Sequence, residues 1–288
     1  MSHPVKQHIV PQTYLKKFSI DLKDIWVYQK DTNNFRYQRI KNVPIIKDFY
    51  TAVTDMGEKL YDIEYLFSED IEPDLNDYVS FFINRDFNRL TFMKKKFAYF
   101  IASQKLRTVK MRNIIDKEIE VAFKTGEPGE WFDDYSVQEF ATTYFYKGEK
   151  ITLQEFKERA DGREAEVPLN VKKDCYLQFF PDKLIRYAEE LTSQSWSYLF
   201  APQGRAFITS DNPVIIESEI DDPTFPLQGG IFPLTKEIAL NLNAKEETFR
   251  TLGAKEMRKV NQQIVRNSHR FLFSHDEAFL KHNVEKYI

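Results

Sequence analysis

Six polar residues stand where the surrounding pattern calls for apolar ones, and their types could do chemistry. His8 leads into Ile9-Val10-Pro11 and an apolar stripe of Tyr14, Leu15 and Phe18. An imidazole held against such a stripe can shuttle protons or ligate a metal near neutral pH, and it can equally serve as a packed or capping residue. Residues 87–115 show a helical period. At about 100° per residue, Leu90, Met93, Phe97, Phe100, Ile101, Met111 and Ile115 share one arc. Gln104 and Thr108 fall inside that arc, and Arg107 sits at its edge. A buried amide or guanidinium costs several kcal/mol unless it meets hydrogen-bond partners or lines a cavity. Arg107 could therefore pair with Glu64 or Glu72 as a core clamp, or present its fork to an anion from a pocket wall. Asp211 and Asn212 lie in Phe207-Ile208-Thr209-Ser210-Asp211-Asn212-Pro213-Val214, between two apolar runs. Asp and Asn before Pro form turns readily, because their side chains bond nearby backbone N–H groups. A carboxylate at a strand end can also be a general base or a metal ligand.

Several chemistries are disfavoured. The chain has neither Gly-x-Gly-x-x-Gly nor Gly-x4-Gly-Lys-Ser/Thr, and no Gly-x-Ser-x-Gly elbow or His-Glu-x-x-His helix. Asp21-x-Lys23 and Glu155-x-Lys157 have the carboxylate-x-lysine spacing of many metal-dependent nucleases, but neither sits in a convincing strand. One cysteine excludes a disulfide scaffold and multi-cysteine metal sites. Cys175 reads as a buried small apolar residue.

The elements that must position these residues follow from period and composition. A short helix after Pro11 precedes a hairpin, with strands at Ile25–Tyr28 and Phe35–Ile40 around a turn at 31–34. Phe49-Tyr50-Thr51 extends the sheet. From 58 to 192 the pattern is largely helical, with 87–115 the clearest helix. Gly126-Glu127-Pro128-Gly129 breaks it, and helices are expected at 136–146, 152–160 and 172–192 around a loop at 161–171. Strands then recur at 196–200, 206–209, 213–216, 238–242 and 271–273, with a helix at 254–268 and a short helix at the end. The predicted class is α+β. A mixed or antiparallel sheet from both ends of the chain carries a helical insertion, 58–192, within one unit of 288 residues.

Composition sets the outer bounds. Of 288 residues, 42% are hydrophobic and 15% aromatic, which excludes disorder. No apolar run reaches the roughly 18 residues of a membrane helix, and the N-terminus lacks a secretion signal, so no membrane and a cytoplasmic location are expected. The net charge of −3 excludes a wholesale polycation. It hides a local split. Residues 55–86 hold ten acids and two bases, and residues 87–115 hold eight bases and no acid. Adjacent helices neutralising each other is the simpler reading. A basic groove for nucleic acid is the other, although the bases fall on two separated faces.

His8-x-x-Pro11-x-x-Tyr14-Leu15-x-x-Phe18, Gln104-x-x-Arg107-Thr108 and Phe207–Val214 together resemble the bacterial domain of unknown function family 4238, over roughly residues 6–275. Val109 follows Thr108 where that family is expected to favour Pro. The resemblance implies no activity, but it supports treating His8, Arg107, Asp211 and Asn212 as one set. The expectation is a phosphodiester hydrolase with His8 as general acid or base, Asp211 orienting it or binding a divalent metal, and Arg107 stabilising the anion. Gln104, Thr108 and Asn212 would contact substrate. The alternative is a non-catalytic module that binds a small anionic ligand or nucleic acid.

Overall fold

The computed structural model describes residues 6–43, 45–53, 59–125, 144–146, 149–151, 155, 158, 169–220, 225–227 and 229–288. In chain order the strands are β1 (Lys6–His8), β2 (Asp24–Gln29), β3 (Asn34–Arg39), β4 (Ile45–Lys47), β5 (Ala52–Val53), β6 (Lys59–Leu60), β7 (Tyr144–Tyr146), β8 (Glu149–Ile151), β9 (Ser197–Phe200), β10 (Thr209–Ser210), β11 (Ile231–Pro233), β12 (Ile238–Asn241), β13 (Phe249–Thr251) and β14 (Phe271–Ser274). The helices are α1 (Gln12–Leu15), α2 (Asp62–Tyr65), α3 (Leu75–Ile83), α4 (Phe87–Leu106), α5 (Val109–Thr125), α6 (Leu169–Ser193), α7 (Ala254–Asn267) and α8 (Glu277–Tyr287).

Two four-stranded sheets frame the fold, which is α+β. The first has the order β10-β14-β2-β3, with every pairing antiparallel, and so joins strands from both ends of the chain. The second, β11-β12-β9-β13, is mixed, because β13 runs parallel to β9. Two short pairs, β1 with β4 and β5 with β6, lie beside them. The helical middle packs α6 along α4 and α3 against α4. One hydrophobic cluster runs through all these parts, from Ile9 to Val284. Tyr14 ties the layers together. Its ring stacks on Phe232 of β11 at 5.5 Å, and its hydroxyl donates to the Pro233 carbonyl and bonds Thr209.

The structure departs from the sequence reading at several places. The expected helix over 87–115 is two helices, α4 and α5, separated at Arg107-Thr108. Thr108 is the reason. Its Oγ1 accepts the Met111 N–H at 3.1 Å, which makes it the N-cap of α5. Val109 then occupies the first helical position, where proline is well tolerated, so a family preference for Pro there has a structural basis. The second half of α4 is also not amphipathic. From Phe97 to Leu106 nearly every residue is buried, including Ser103, Gln104 and Lys105, because the helix is covered on several sides. Phe49-Tyr50 is a turn, not a strand, although Ala52–Val53 beyond it is one. Within the expected helix 136–146, Tyr144–Tyr146 is a strand paired with Glu149–Ile151. The 213–216 run reduces to a single bridge, Ile215 with Ile231. Strands β11 and β13 were not expected. The break at 126–129 and residues 136–143, 152–154 and 161–168 lie outside the described residues.

Candidate functional site

Arg107 sits where α4 ends, and its guanidinium is wholly inside the protein at 1% exposure. One terminal nitrogen donates to Glu72 Oε1 at 2.9 Å, and the other to the His8 carbonyl at 2.5 Å. Its flat face lies over Phe67, 4.2 Å from the ring centroid. A wide turn of helix over Leu66–Ile71, closed by Glu72 N–H to the Phe67 carbonyl, brings ring and carboxylate to the same guanidinium. The Tyr50 hydroxyl bonds the Arg107 carbonyl at 2.5 Å. Glu64 adds a second acid near this guanidinium. Burial and the charge of Glu72 push its carboxyl up, while Arg107 pulls it down. Of the two carboxylates expected as partners, Glu72 makes the ion pair.

His8 is held by its ring as well as by its carbonyl. Nδ1 lies 3.1 Å from the Val43 carbonyl, and Nε2 lies 2.9 Å from the Gln12 side-chain nitrogen. With the Gln12 amide nitrogen facing Nε2 and the Val43 carbonyl facing Nδ1, the contacts suit a neutral ring protonated on Nδ1. Burial lowers its pKa from the ordinary value, the Val43 bond opposes this, and the Arg107 charge adds to the lowering.

Asp211 belongs to a different hydrogen-bond network. Its two oxygens accept the backbone N–H groups of His269 at 3.0 Å and Arg270 at 2.8 Å. Burial raises its carboxyl, and those N–H groups partly offset the rise. Asn212 donates to the Asn267 carbonyl at 3.0 Å, and its Oδ1 is buried without a partner. Together the two side chains pin the end of α7 and the segment that follows it. Gln104 donates to Ser103 Oγ at 3.3 Å and leaves its own Oε1 buried and unbonded. Thr108 donates to the Lys105 carbonyl as well as capping α5.

The structure thus brings His8 and Arg107 together, and no described hydrogen bond or ion pair joins either to Asp211. Their chain neighbours nevertheless meet. A cleft of about 300 Å³ is lined by Ile9, which follows His8, by Val109, which follows Thr108, and by Asp211 itself. Its other walls are Val43, Ile45 and Ile46, and the sheet residues Arg36, Gln38 and Phe271. Asn42, His269 and Arg270 complete it. Arg36, His269 and Arg270 are exposed, so they form a rim, whereas Asp211 is 2% exposed and lies at the floor. Sequence reasoning did not single out these three rim residues. Arg36 reads as one residue of the alternating strand Phe35–Ile40, Arg270 lies just before the strand at 271–273, and no spacing links either to Asp211.

Among the described residues, no group of three or more His, Cys, Asp and Glu is arranged to hold a metal ion. Asp21 spends Oδ1 on the Lys23 and Asp24 N–H groups, as a turn residue does, and Lys157 lies outside the described residues. Seven of the eight bases in 87–115 form ion pairs. Arg89, Lys96 and Arg107 take Asp86, Asp74 and Glu72 from the acidic segment, Lys94 takes Glu247, Lys105 and Lys110 share Glu219, and Arg112 takes Asp116. Two of these pairs, those of Lys105 and Arg107, have their basic partner buried and not on the surface. Among the described residues no helix is long and apolar enough to cross a membrane.

No curated protein and no solved structure matches the chain. A family model described as a protein of unknown function, DUF4238, matches residues 6–278, which takes in the His8, Arg107 and Asp211 segments alike. The chain belongs to that family.

Proposed function

We propose that this chain binds a small anionic ligand in the cleft where its three motif segments meet. The observation that carries the reading is the lining itself. Ile9, Val109 and Asp211 come from segments far apart in sequence, and they share one hollow with Arg36 and Arg270 at the rim. Its volume of about 300 Å³ lies at the small end of ligand pockets, and six apolar residues line it beside six polar or charged ones. Guanidinium forks at the mouth suit a carboxylate or phosphate. In this reading His8 and Arg107 do not touch the ligand. They hold the wall from behind, through the Val43 carbonyl and the His8 carbonyl. Calorimetric titration with inorganic phosphate and mononucleotides, with and without Mg²⁺, tests it. Saturable binding that weakens in Arg36→Gln is expected, and the absence of binding by every anion would remove the reading.

A second reading is phosphodiester hydrolysis at the same cleft. It is favoured by Asp211, whose carboxyl is raised by burial and feels the charge of His269 within the cleft. The acid–base pair would then be Asp211 and His269, because both ring nitrogens of His8 are already engaged. Turnover of nucleotides or oligonucleotides with Mg²⁺ or Mn²⁺ should disappear in His269→Asn while binding persists. Turnover unchanged in that variant would rule it out.

A further inference from the structure

The cleft has a polarity from floor to mouth that a simple anion would use only in part. Asp211 is nearly inaccessible at the floor, and Arg36 and Arg270 stand exposed at the rim. The Asp211 oxygens accept the backbone N–H groups of His269 and Arg270, and the Phe271 N–H also bonds the carboxylate. An ionised carboxylate offers about four acceptor sites, so capacity for about one further donor remains. No described lysine or arginine forms an ion pair with it. Lys30 is close enough for its charge to be felt, but its ammonium donates to the carbonyls of Val265 at 3.0 Å and Ser268 at 2.8 Å. The charge of His269 also acts on Asp211, but a buried carboxylate without an ion pair is costly, and donors arriving through the cleft would offset that cost. The two arginines retain donors too. Arg36 bonds Gln29 and Arg270 bonds Asp31, which uses a fraction of five N–H groups each. Ile9, Val43 and Val109 add apolar lining to the same cleft.

We propose that the cleft selects a ligand carrying an N–H donor group at one end and an anion at the other, with the donor on Asp211 and the anion at Arg36 and Arg270. The inference rests on the ligand-binding reading above and adds Asp211 as its specificity residue. Two sources share this chemistry: a purine nucleotide with an exocyclic amine beside a ring N–H, and an amino acid with its ammonium and carboxylates.

Calorimetry on the full chain at fixed pH and salt separates them. One arm compares guanosine 5′-monophosphate with inosine 5′-monophosphate, which lacks the exocyclic amine. The other compares L-glutamate with glutarate, which lacks the ammonium. A site that hydrogen-bonds the donor should prefer the donor-bearing member of one pair by about ten- to a hundredfold. That preference should shrink to within about threefold in Asp211→Asn, while Arg36→Gln weakens both members alike. Equal affinity of the wild type for both members of each pair overturns the proposal without any variant, so it stays testable if Asp211→Asn fails to fold. Preference retained in a folded Asp211→Asn overturns it too. If all four compounds bind equally and weaken in Arg36→Gln, the donor rule falls and the anion-binding reading stands. If nothing binds, both fall.

Discussion

Arg107 shows what a buried guanidinium needs. Its ion pair to Glu72, its bond to the His8 carbonyl and the Phe67 ring beneath it compensate most of its lost hydration, although its Nε is left without a partner. Removing it would leave the His8 carbonyl without this donor and Glu72 with only the Thr13 hydroxyl. Arg107→Ala should lower stability by about 3 kcal/mol or more in urea denaturation. A loss under about 1 kcal/mol would mean the clamp matters little. His8 makes a pH prediction. Burial lowers its folded pKa, so the unfolded chain binds the proton more readily. The stability contributed by the neutral ring is complete above about pH 6.5 and is lost as pH falls below that toward the folded value. His275, also lowered by burial, acts in the same direction. The urea midpoint should therefore fall more steeply between about pH 6.5 and 5 in the wild type than in His8→Gln. Identical slopes would show that the ring is not held as described. Both residues were visible in the sequence as polar groups on apolar elements, because burial of a polar side chain breaks a periodic pattern. Their partners were only half visible. Glu72 could be guessed from proximity in sequence, whereas the Val43 carbonyl could not, since backbone acceptors carry no residue signature.

Among the elements, the junction between α4 and α5 turns on one hydroxyl. Thr108→Ala should cost about 1 kcal/mol through loss of the cap, measured by chemical denaturation. Val109→Pro should be neutral or stabilising by up to about 1 kcal/mol, because the first helical position needs no N–H donor and suits proline's fixed φ. Marked destabilisation by Val109→Pro would place the helix start elsewhere. The turn before β11 has a stricter requirement. Gly229 has φ +78°, and a Cβ there would overlap the Leu242 carbonyl. Gly229→Ala should destabilise by about 2 kcal/mol or more. The Asp211-Asn212 turn was legible as a turn, because Asx residues before proline bond nearby N–H groups. What it pins, the last residue of α7 and residues 269–270 beyond it, is more than fifty positions away and had no local signal.

For the whole molecule, the charge split between 55–86 and 87–115 is mostly internal bookkeeping of the fold. Seven of the eight bases are paired, and only three of their partners come from the acidic segment. The chain should accordingly elute from heparin at low salt, with a shallow dependence of retention on salt concentration. Tight, steeply salt-dependent retention would restore the nucleic-acid reading. The remaining partners, Glu219, Glu247 and Asp116, are brought in by the fold, not by adjacency, which is why the sequence suggested a simpler pairing of neighbours.

The amino-acid order by itself determined the α+β class, the sheet that joins both ends of the chain, and the polar residues that had to find partners inside. Those follow from local period and from the cost of burying polar groups, both written in short stretches of chain. Only the tertiary structure decided that His8 and Arg107 brace a wall while Asp211 lies on the floor of the cleft, with Arg36 and Arg270 at its mouth. A cleft is a property of several distant segments packed together, and neither the period nor the composition of any one segment records where the others will lie.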